Sequence, residues 1–234
     1  MKAKYKRILL KISGESLAGE KRHGFSLSAL IATAKQIAAL NKSGVEVGVV
    51  VGGGNFWRGR EGDEMDRTSA DYMGMLATVI NALALSDALD RQNVDNRVMT
   101  ALTIDKIGEP YNVKTAKRYL AEGKVVIFGG GTGSPFFTTD TGASLKACEI
   151  GADALLLAKN VDGIYDGDPK TNPSAKKYSA LTYDEYVAKG LKALDTSAVV
   201  MCKENGLKIH AFGNLDDESI IDAVFGEDSG TVVY

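Results

Sequence analysis

The chain has 234 residues, of which 44% are hydrophobic and 25% are charged, and it contains only four prolines. This length and composition are ordinary for a globular protein with one large α/β domain or two small ones. The formal net charge of −2 provides no electrostatic footprint for nucleic acid or for an anionic membrane. We therefore expect no nucleic acid and no membrane among its partners.

The two cysteines and the N-terminal residues indicate a cytoplasmic protein. Cys148 and Cys202 both fall in apolar stretches, which predicts two buried thiols in a reducing cytosol, and no cysteine or histidine spacing suggests zinc. The basic start, residues 1–7, is followed by an apolar run that stops at Lys11, so it does not resemble a signal peptide. No stretch reads as long and apolar enough to span a bilayer.

A lysine lies at the end of the first predicted strand. Residues 8–12 form a short apolar run that Lys11 interrupts, and Ser13-Gly14 follows as a turn. A lysine at the end of a buried strand needs an anionic partner, because its desolvation is otherwise costly. The alternative is a strand-edge lysine whose stem packs on apolar surface while its ammonium group reaches water.

Three consecutive glycines follow the second predicted strand. A predicted helix, 26–44, leads into a buried strand, 45–51, and then into the glycines 52–54. Glycines after a parallel strand allow close approach of the backbone to a phosphate, and Arg58 or Arg60 could clamp it. Neither the dinucleotide-binding fingerprint nor the P-loop pattern occurs in the chain.

Residues 66–91 form the longest predicted helix. Asp71 and Tyr72 lie near its start, so we expect that end to face a ligand. Its large apolar side chains occupy more than one stripe and cannot all face one sheet on a helix of 3.6 residues per turn. We expect the remainder to meet a second surface, and a two-fold partner presenting the same helix is the economical choice. These side chains are Met73, Met75, Leu76, Val79, Ile80, Leu83 and Leu85.

The loop 129–140 carries the strongest signal of a ligand site. It follows 124–128, an apolar run typical of a strand buried on both faces of a parallel sheet, and precedes a predicted helix, 140–150. Its glycines let backbone amides approach an anion, and the helix N-terminus adds favourable partial charge. Its hydroxyls, two phenylalanine rings and Asp140 suit a polar ligand with a phosphate and a flat ring. A purely structural loop also needs glycines but has less use for the Phe-Phe-Thr-Thr-Asp sequence of 136–140.

The remaining elements continue the alternation of strands and helices. The turn 159–169 contains an aromatic residue that could face a base, although turn chemistry alone explains its glycines and aspartates. No linker, low-complexity stretch or internal repeat divides the chain, which predicts one domain, 1–234, a three-layer α/β/α sandwich with a mainly parallel sheet. The other predicted strands are 97–102, 154–158, 208–212 and 231–233, and the other predicted helices are 112–122, 182–189, 196–205 and 218–225.

The loops after several strands are predicted to converge on one cleft. Ligands of open parallel sheets bind outside the carboxyl ends of the strands, where the segments 11–14 and 52–55 and the later Asp-Gly turns within 159–169 would meet. Several phosphate-binding loops and a lysine, without an obvious nucleophile, indicate phosphoryl transfer. That chemistry needs positioned charge rather than covalent catalysis.

Five sequence motifs occur in order over nearly the whole chain. They are Lys11-Ile12-Ser13-Gly14-Glu15, Gly52-Gly53-Gly54-Asn55, Asp71-Tyr72-Met73-Gly74-Met75-Leu76, Gly133-Ser134-Pro135-Phe136-Phe137-Thr138-Thr139-Asp140, and Val161-Asp162-Gly163-Ile164-Tyr165 with Asp168-Pro169. As a set they resemble the bacterial uridylate (UMP) kinases of the amino acid kinase family. The resemblance implies transfer of the ATP γ-phosphate to UMP, giving UDP and ADP, in pyrimidine nucleotide biosynthesis. It also implies Mg²⁺, activation by GTP, inhibition by UTP and a homohexamer built as a trimer of dimers.

The resemblance implies an ATP site that begins at the first strand. Lys11 would stabilise the migrating phosphoryl group, Asp140 would orient that lysine and Mg²⁺, and Arg58 would be the third catalytic residue. The turn after residue 158 is one residue shorter than in many relatives, so Lys159 is an alternative to Asn160 for one contact. The implied ATP-binding residues are Lys11, Ser13, Gly14, Gly54, Arg58, Asn160, Tyr165 and Asp168.

The resemblance also implies a UMP site and an effector segment. Asp71 would contact the sugar or the base of uridine. The implied UMP-binding residues are Gly53, Asp71, Thr132, Gly133, Ser134, Pro135, Phe136, Phe137, Thr138 and Thr139. The segment linked to GTP activation corresponds to Gly19, Glu20, Lys21, Arg22, His23 and Gly24, which on their own read as a solvated loop.

Two other functions remain open on the sequence. A carbamate, acetylglutamate or aspartate kinase of the same fold would share the ATP half, but should lack the paired Phe-Phe-Thr-Thr-Asp and Asp-Tyr-Met-Gly-Met-Leu motifs found here. The second is a non-catalytic relative that binds nucleotide or stores metal. The presence of Lys11, Arg58 and Asp140 argues against it.

Overall fold

The computed structural model describes residues 2–21, 23–57, 65–213, 218–226 and 229–234, and within these ranges nine strands form one central sheet with helices on both faces. The strands are β1 (Arg7–Ile12), β2 (Glu46–Val51), β3 (Asn96–Thr100), β4 (Glu109–Pro110), β5 (Val125–Gly129), β6 (Ala154–Lys159), β7 (Ile164–Tyr165), β8 (Lys177–Tyr178), β9 (Ala180–Leu181), β10 (Lys208–Gly213) and β11 (Thr231–Val233). The helices are α1 (Gly14–Ala18), α2 (Leu27–Lys42), α3 (Arg67–Asp90), α4 (Val113–Ala121), α5 (Thr139–Ile150), α6 (Tyr183–Ala188), α7 (Thr196–Glu204) and α8 (Ser219–Phe225). β7 and β8 form a separate antiparallel hairpin.

β1 lies at the centre of the sheet, and the strands that follow it in the chain are added first on one side of it and then on the other. The strand order is β4-β3-β5-β2-β1-β6-β10-β11-β9, and all neighbours run parallel except β10 and β11. β2 to β5 lie on one side of β1, whereas the later strands lie on the other. A crevice therefore forms outside the carboxyl ends of β1 and its neighbours, where ligands of such sheets bind. The predicted three-layer α/β/α fold with a mainly parallel sheet is confirmed.

Alternate residues of β1 contribute to two apolar cores, one on each face of the sheet. Ile8, Leu10 and Ile12 share a core with α2, α3 and α8, whereas Leu9 shares the other with α4, α5 and α7. All four side chains are fully buried. Burial of a side chain of this size contributes about 1.5–3 kcal/mol. The central strand is therefore held from both faces, and the loop that follows it begins from a fixed position.

Side-chain caps define the starts of the main helices. The side chains of Ser26, Asp66 and Asn112 accept backbone N–H groups from the first turns of α2, α3 and α4, which satisfies donors that have no partner within the helix. The long predicted elements are confirmed, with ends close to the predicted ones. Helix α1 and the two-residue strands β4, β7, β8 and β9 were missed, because segments this short carry no readable periodicity.

Helix α3 has one buried and one exposed apolar face. Met75, Val79 and Leu85 are buried, as the predicted division of its apolar residues requires. The 24-residue helix has a mean hydropathy of 1.4 in its most apolar window, so it is long and apolar enough to cross a membrane, and the expectation that no stretch would be was wrong. Half of that window is buried inside the fold, as in the core helix of a globular protein. The large apolar side chains that α3 exposes, each by 39–47%, are Tyr72, Met73, Leu76, Ile80 and Leu83.

The two cysteines differ in their environments. Cys202 is fully buried, and burial raises the pKa of its thiol to about 12. Cys148 is only half-buried, so the expectation of two buried thiols is correct for one of them. Burial and the nearby Glu149 carboxylate also raise the pKa of Cys148. Because the thiolate is the reactive form, neither residue is prepared to act as a nucleophile.

Candidate active site

Lys11 and Asp140 form an ion pair at the carboxyl end of β1. The Nζ atom of Lys11 lies 3.0 Å from Oδ1 of Asp140, and the two side chains are 12% and 18% exposed. Asp140 lies in the first turn of α5, where the loop 129–140 ends. The anionic partner predicted for this strand-end lysine is confirmed, and the alternative of an ammonium group that simply reaches water is wrong.

A second lysine, Lys159, lies beside this pair. It ends β6, the neighbour of β1, and its Nζ donates a hydrogen bond to the carbonyl of Ala193. Burial lowers the pKa of Lys159, the nearby Asp140 carboxylate raises it, and the Lys11 ammonium group lowers it. The three side chains thus share one electrostatic environment with two positive charges and one negative charge. Asn160, the residue chosen from the sequence, is exposed, so the structure places Lys159 rather than Asn160 beside the pair.

A cavity of about 450 Å³ lies between the start of α3 and the loop 129–140, and we call it the Asp71 cavity. Its volume is in the range of small-molecule sites. The structure brings together seven of the ten predicted UMP-binding residues in its wall, whereas Gly133, Pro135 and Phe136 do not line it. The seven are Gly53, Asp71, Thr132, Ser134, Phe137, Thr138 and Thr139.

Asp71 connects the long helix to the loop 129–140. Its Oδ2 accepts the backbone N–H of Phe136 at 2.7 Å and the Nε–H of Arg67 at 2.9 Å. Phe136 has a φ of 73°, which is unfavourable for a residue with a Cβ atom and is found mainly where surrounding contacts impose it. The rings of Phe136 and Phe137 are 66% and 55% exposed. An unfavourable backbone held by a carboxylate, with two exposed rings, is typical of a binding loop rather than a packed one.

A second cavity, of about 590 Å³, contains the Lys159 side chain in its wall, and we call it the Lys159 cavity. Asp140 and the segment 190–196 also line it. Thr138 lines both this cavity and the Asp71 cavity. The two cavities therefore meet at the start of α5, next to the Lys11–Asp140 pair.

Asp195 joins the two cavity walls, and the sequence analysis does not identify it. Its carboxylate accepts hydrogen bonds from the hydroxyl groups of Thr138 and Thr141, and it caps α7 by accepting the N–H of Ala198 at 2.8 Å. An aspartate before a helix is a recognisable capping signal. Its contact with Thr138 depends on the packing of α5 against α7, for which the sequence contains no local signal.

Glycines allow the loop after β2 to approach both the loop after β1 and helix α3 closely. A Cβ atom on Gly14 would lie 2.3 Å from Oδ1 of Asn55 and 2.7 Å from the carbonyl of Gly52. A Cβ atom on Gly53 would lie 2.8 Å from the carbonyl of Gly74 in α3. Side-chain carbons do not approach oxygen atoms this closely, so both positions require glycine. The glycines therefore allow the loops after β1 and β2 to pack directly on each other and on α3.

The other predicted ATP contacts are distributed more widely. Ser13 uses its hydroxyl to cap α1. Tyr165 lies on the β7–β8 hairpin, where its hydroxyl donates to Asp162 at 2.5 Å, and Asp168 is exposed in the following turn. Neither Tyr165 nor Asp168 is among the described residues that line the two cavities. Arg58 lies outside the described residues, so its role remains a prediction.

The predicted effector segment, 19–24, lies against the loop that follows β2. His23 packs edge-on against the ring of Phe56, with 5.6 Å between ring centroids, and the segment donates one backbone N–H to the carbonyl of Asn55 at 3.0 Å. A third cavity, of about 850 Å³, is bounded by the start of this segment and by α2. Arg22 lies outside the described residues. The effector role of the segment remains a prediction.

Comparison with known proteins places this arrangement in a family. The sequence model of the amino acid kinase family matches residues 6–213. The chain belongs to the amino acid kinase family. Among solved structures of this family, the UMP kinase from Bacillus anthracis is 38% identical, with a TM-score of 0.94 over 98% of this chain and 96% of that chain. The UMP kinase from Ureaplasma parvum is also 38% identical, with a TM-score of 0.93 over 97% of this chain and 98% of that chain.

A more distant member shares the same architecture. The uridylate kinase from Archaeoglobus fulgidus is 30% identical to this amino acid kinase, with a TM-score of 0.74 over 97% of this chain and 99% of that chain. Such matches span the whole sheet, the two glycine-rich loops and the loop 129–140. The resemblance drawn from the five motifs is therefore confirmed at the level of the family.

Because Lys11 and Asp140 both influence Lys159, substitutions of these two residues should shift the pKa of Lys159 in opposite directions. Because burial lowers the pKa of Lys159, we expect its amine to deprotonate below the ordinary lysine value of about 10.4. Asp140→Asn should lower that pKa further, since the carboxylate raises it, whereas Lys11→Met should raise it. The measurement is a pH titration of the ¹³C-dimethylated lysines by NMR, with Lys159→Arg to assign the signal.

The same shift fixes the sign of its effect on stability. The unfolded chain holds this proton more tightly than the folded protein, so the contribution of Lys159 to the free energy of unfolding rises as the pH rises through the lowered pKa. A Lys159 signal that titrates at the ordinary value, or that neither substitution moves, would contradict the arrangement of the three charges.

Proposed function

We propose that this chain transfers the γ-phosphate of ATP to UMP, giving UDP and ADP. The observation that carries the proposal is the meeting of two cavities at one cluster of two lysines and an aspartate. A two-substrate transfer needs such an arrangement, because donor and acceptor must approach one charged point from two sides. The 38% identity with UMP kinases over nearly the whole chain supports UMP as the acceptor.

The charged cluster supplies what a phosphoryl transfer needs from the protein. In the transition state, negative charge spreads over the oxygens of the transferred group. Lys11 and Lys159 place positive charge there, and Asp140 fixes the position of Lys11 across 3.0 Å. Because β1 and β6 are neighbours in the sheet, the two lysines are positioned before substrate arrives and little reorganisation is required. The UMP phosphate attacks the γ-phosphorus directly, and ADP leaves.

The Asp71 cavity is the proposed acceptor site. The N-terminus of α5 suits the phosphate of UMP, and Asp71 accepts hydrogen bonds from the nucleoside. Trp57 lines the same cavity. Its indole N–H is buried and has no hydrogen-bond partner among the described residues, which makes it available to a bound ligand.

The donor side of the cluster fits Mg²⁺ that arrives with ATP. Among the described residues there is no group of three or more His, Cys, Asp or Glu side chains that could hold an ion by itself. Mg²⁺ is commonly bound by one or two carboxylates together with nucleotide phosphates, and Asp140 is the carboxylate placed for this role. Bound there, Mg²⁺ would neutralise charge on the phosphate oxygens.

The proposal also covers regulation, organisation and location, as the family resemblance implies. GTP is the proposed activator, acting in part through the segment 19–24, and UTP is the proposed inhibitor. The chain forms one domain, 1–234, whose N-terminal part mainly binds UMP and mediates assembly and whose C-terminal part mainly binds ATP. We place the enzyme in the cytoplasm and in pyrimidine nucleotide synthesis.

An assay of ADP release across several acceptors tests the proposed reaction. UMP should support rapid ADP release, whereas CMP, dTMP, carbamate, acetylglutamate and aspartate should not. Lys11→Ala should lower turnover with UMP about 10²–10³-fold, the scale of one preorganised electrostatic contact. It should still fold, because apolar side chains hold β1 in place, and circular dichroism checks this. Lys203→Ala is the matched control, since it removes an exposed ion pair with Asp184, and neither residue lines the two cavities.

Two outcomes would overturn this assignment. A higher rate with an amino acid or carbamate acceptor would exclude UMP as the substrate. A Lys11→Ala protein whose folded fraction is fully active would show that the lysine serves only the fold.

A substitution at Asp71 tests the acceptor site separately. Asp71→Ala should raise the KM for UMP about tenfold or more, since a buried polar partner left unpaired costs about 1–3 kcal/mol, while the KM for ATP hardly changes. Asp71→Asn keeps an oxygen for the N–H of Phe136 and so separates support of the loop from contact with the nucleoside. Steady-state kinetics with each nucleotide varied in turn provide the measurement. An equal loss for both nucleotides would contradict the assignment.

The exposed face of α3 is the proposed contact with a second copy of the chain. Five large apolar side chains on one helix face are 39–47% exposed, and each contributes about 1.5–3 kcal/mol when fully buried. A two-fold axis beside α3 would pack this face against itself. The family resemblance then implies three such dimers in a homohexamer.

A charge on the exposed face of α3 should break the assembly. Ile80→Asp should shift the protein towards monomers in light scattering, because the carboxylate would be buried without a partner in the dimer. Val200→Asp is the control, since Val200 is an exposed apolar residue on α7. We expect nucleotide binding to persist in Ile80→Asp. A wild-type protein that is a monomer at micromolar concentration would contradict the proposed assembly.

A further inference from the structure

Two buried amide side chains, Asn55 and Asn81, form a closed hydrogen-bonded pair beside the glycine loops. Nδ2 of Asn55 donates to Oδ1 of Asn81 at 3.0 Å, and Nδ2 of Asn81 donates to Oδ1 of Asn55 at 2.7 Å. The residues are 1% and 0% exposed. The second N–H of Asn55 donates to the carbonyl of Gly24 at 2.8 Å, and that of Asn81 donates to the carbonyl of Gly52 at 2.6 Å. All four amide N–H groups are therefore satisfied.

The pair connects three separate parts of the chain. Asn81 belongs to α3, Asn55 to the loop after β2, and Gly24 to the segment 19–24. Gly24 also donates its own N–H to the carbonyl of Asn55 at 3.0 Å. The loop after β2 is thus held by hydrogen bonds on two sides, from the long helix and from the segment 19–24.

The pair also sets the separation of the two glycine loops. A Cβ atom on Gly14 would lie only 2.3 Å from Oδ1 of Asn55. The amide of Asn55 therefore packs directly on the loop after β1. Gly52, whose carbonyl accepts from Asn81, donates its N–H to the carbonyl of Ile12 at 2.9 Å. A shift of either amide would therefore move both loops.

Packing alone does not require amides at these positions. Burying four polar groups has a desolvation cost that an apolar pair of the same size avoids, so replacing both partners can be neutral for stability. What an apolar pair cannot supply is the fixed direction of the hydrogen bonds to the carbonyls of Gly24 and Gly52. The chemistry of the pair therefore indicates a geometric role.

We propose that Asn55 and Asn81 are positioning residues, which hold the loops after β1 and β2 at the separation that nucleotide binding requires. The proposal rests on the proposed function, because that function assigns these loops to nucleotide phosphates. Since Asn55 also holds Gly24, a displacement of the segment 19–24 reaches both phosphate loops through this pair. The pair thereby links the segment 19–24 to these loops by hydrogen bonds, in addition to the covalent connection of this segment to the loop after β1 through α1.

Asn81→Asp tests the proposal with little change of volume. The carboxylate replaces both donors of Asn81 and faces two oxygen acceptors, on Gly52 and Asn55. We expect faster amide hydrogen exchange in residues 52–57. We also expect the dissociation constants of UMP and of a non-hydrolysable ATP analogue to rise about tenfold or more in calorimetric titrations. If this variant does not fold, Asn81→Ser keeps one hydroxyl donor and should show the same changes at smaller amplitude.

Asn96→Asp is the matched control for a purely structural effect. Asn96 is also a buried amide, 7% exposed, and it donates to Asp90 and to the carbonyl of Val94. It is the first residue of β3 and so lies at the amino end of the strand, away from the crevice at the carboxyl ends. Its substitution should lower the melting temperature but leave both dissociation constants and the exchange of residues 52–57 unchanged. An Asn81→Asp protein that behaves in the same way would overturn the proposal.

A double substitution and the wild-type protein complete the test. Asn55→Ala and Asn81→Ala should be non-additive, with the double variant binding no more weakly than the weaker single variant, because the two side chains act as one unit. Additive losses would count against the pair. A wild-type protein that binds the ATP analogue without phosphorylating UMP would refute the proposed function, whereas the ratio of dissociation constants between variant and wild type would still decide the role of the pair.

Discussion

A lysine and an aspartate, largely buried at the end of the central strand, form the ion pair around which the two cavities are arranged. Removing one partner of such a pair costs about 3–5 kcal/mol, because the remaining charge is left uncompensated. Asp140 reaches Lys11 only because α5 begins where the loop 129–140 ends and packs on the sheet through Ala143 and Ala147. The position of α5 is therefore fixed by electrostatics as well as by packing.

That loop is held from both faces of the sheet. Asp71 on α3 accepts the N–H of Phe136, and Asp195 at the start of α7 accepts the hydroxyl of Thr138. The two helices belong to different cores. An unfavourable backbone such as that of Phe136 costs of order 1–3 kcal/mol, and hydrogen bonds to charged acceptors offset a cost of this size. The loop 129–140 is thus positioned by two carboxylates, whose own positions depend on correct packing of both layers.

Local chemistry made part of this predictable. The need of Lys11 for an anionic partner follows from the cost of desolvating its ammonium group. The glycines of the loop 129–140, between a buried strand and a helix, predict a ligand-binding loop. Contacts between distant residues had no such signal, since Asp195 lies 57 positions from Thr138 and Asn81 lies 26 positions from Asn55. Lys159 and Asn160 are neighbours at a turn of variable length, so the motifs alone do not decide which of them contacts ATP, whereas the structure shows Lys159 half-buried beside Asp140 and Lys11 and Asn160 exposed.

Helix α3 carries polar side chains among its buried residues and large apolar side chains on its exposed face. Asp71, Thr78 and Asn81 lie on one face at helical spacing, where they bind the loops through Phe136, Gly130 and Gly52. The opposite face carries the exposed apolar residues from Tyr72 to Leu83. The same buried side of the helix also carries apolar side chains, among them Met75, Val79 and Leu85, so it combines core packing with the polar groups that hold the loops. The exposed apolar face is the surface on which the proposed two-fold contact rests, because a second α3 would cover it with apolar side chains and leave no polar group to satisfy.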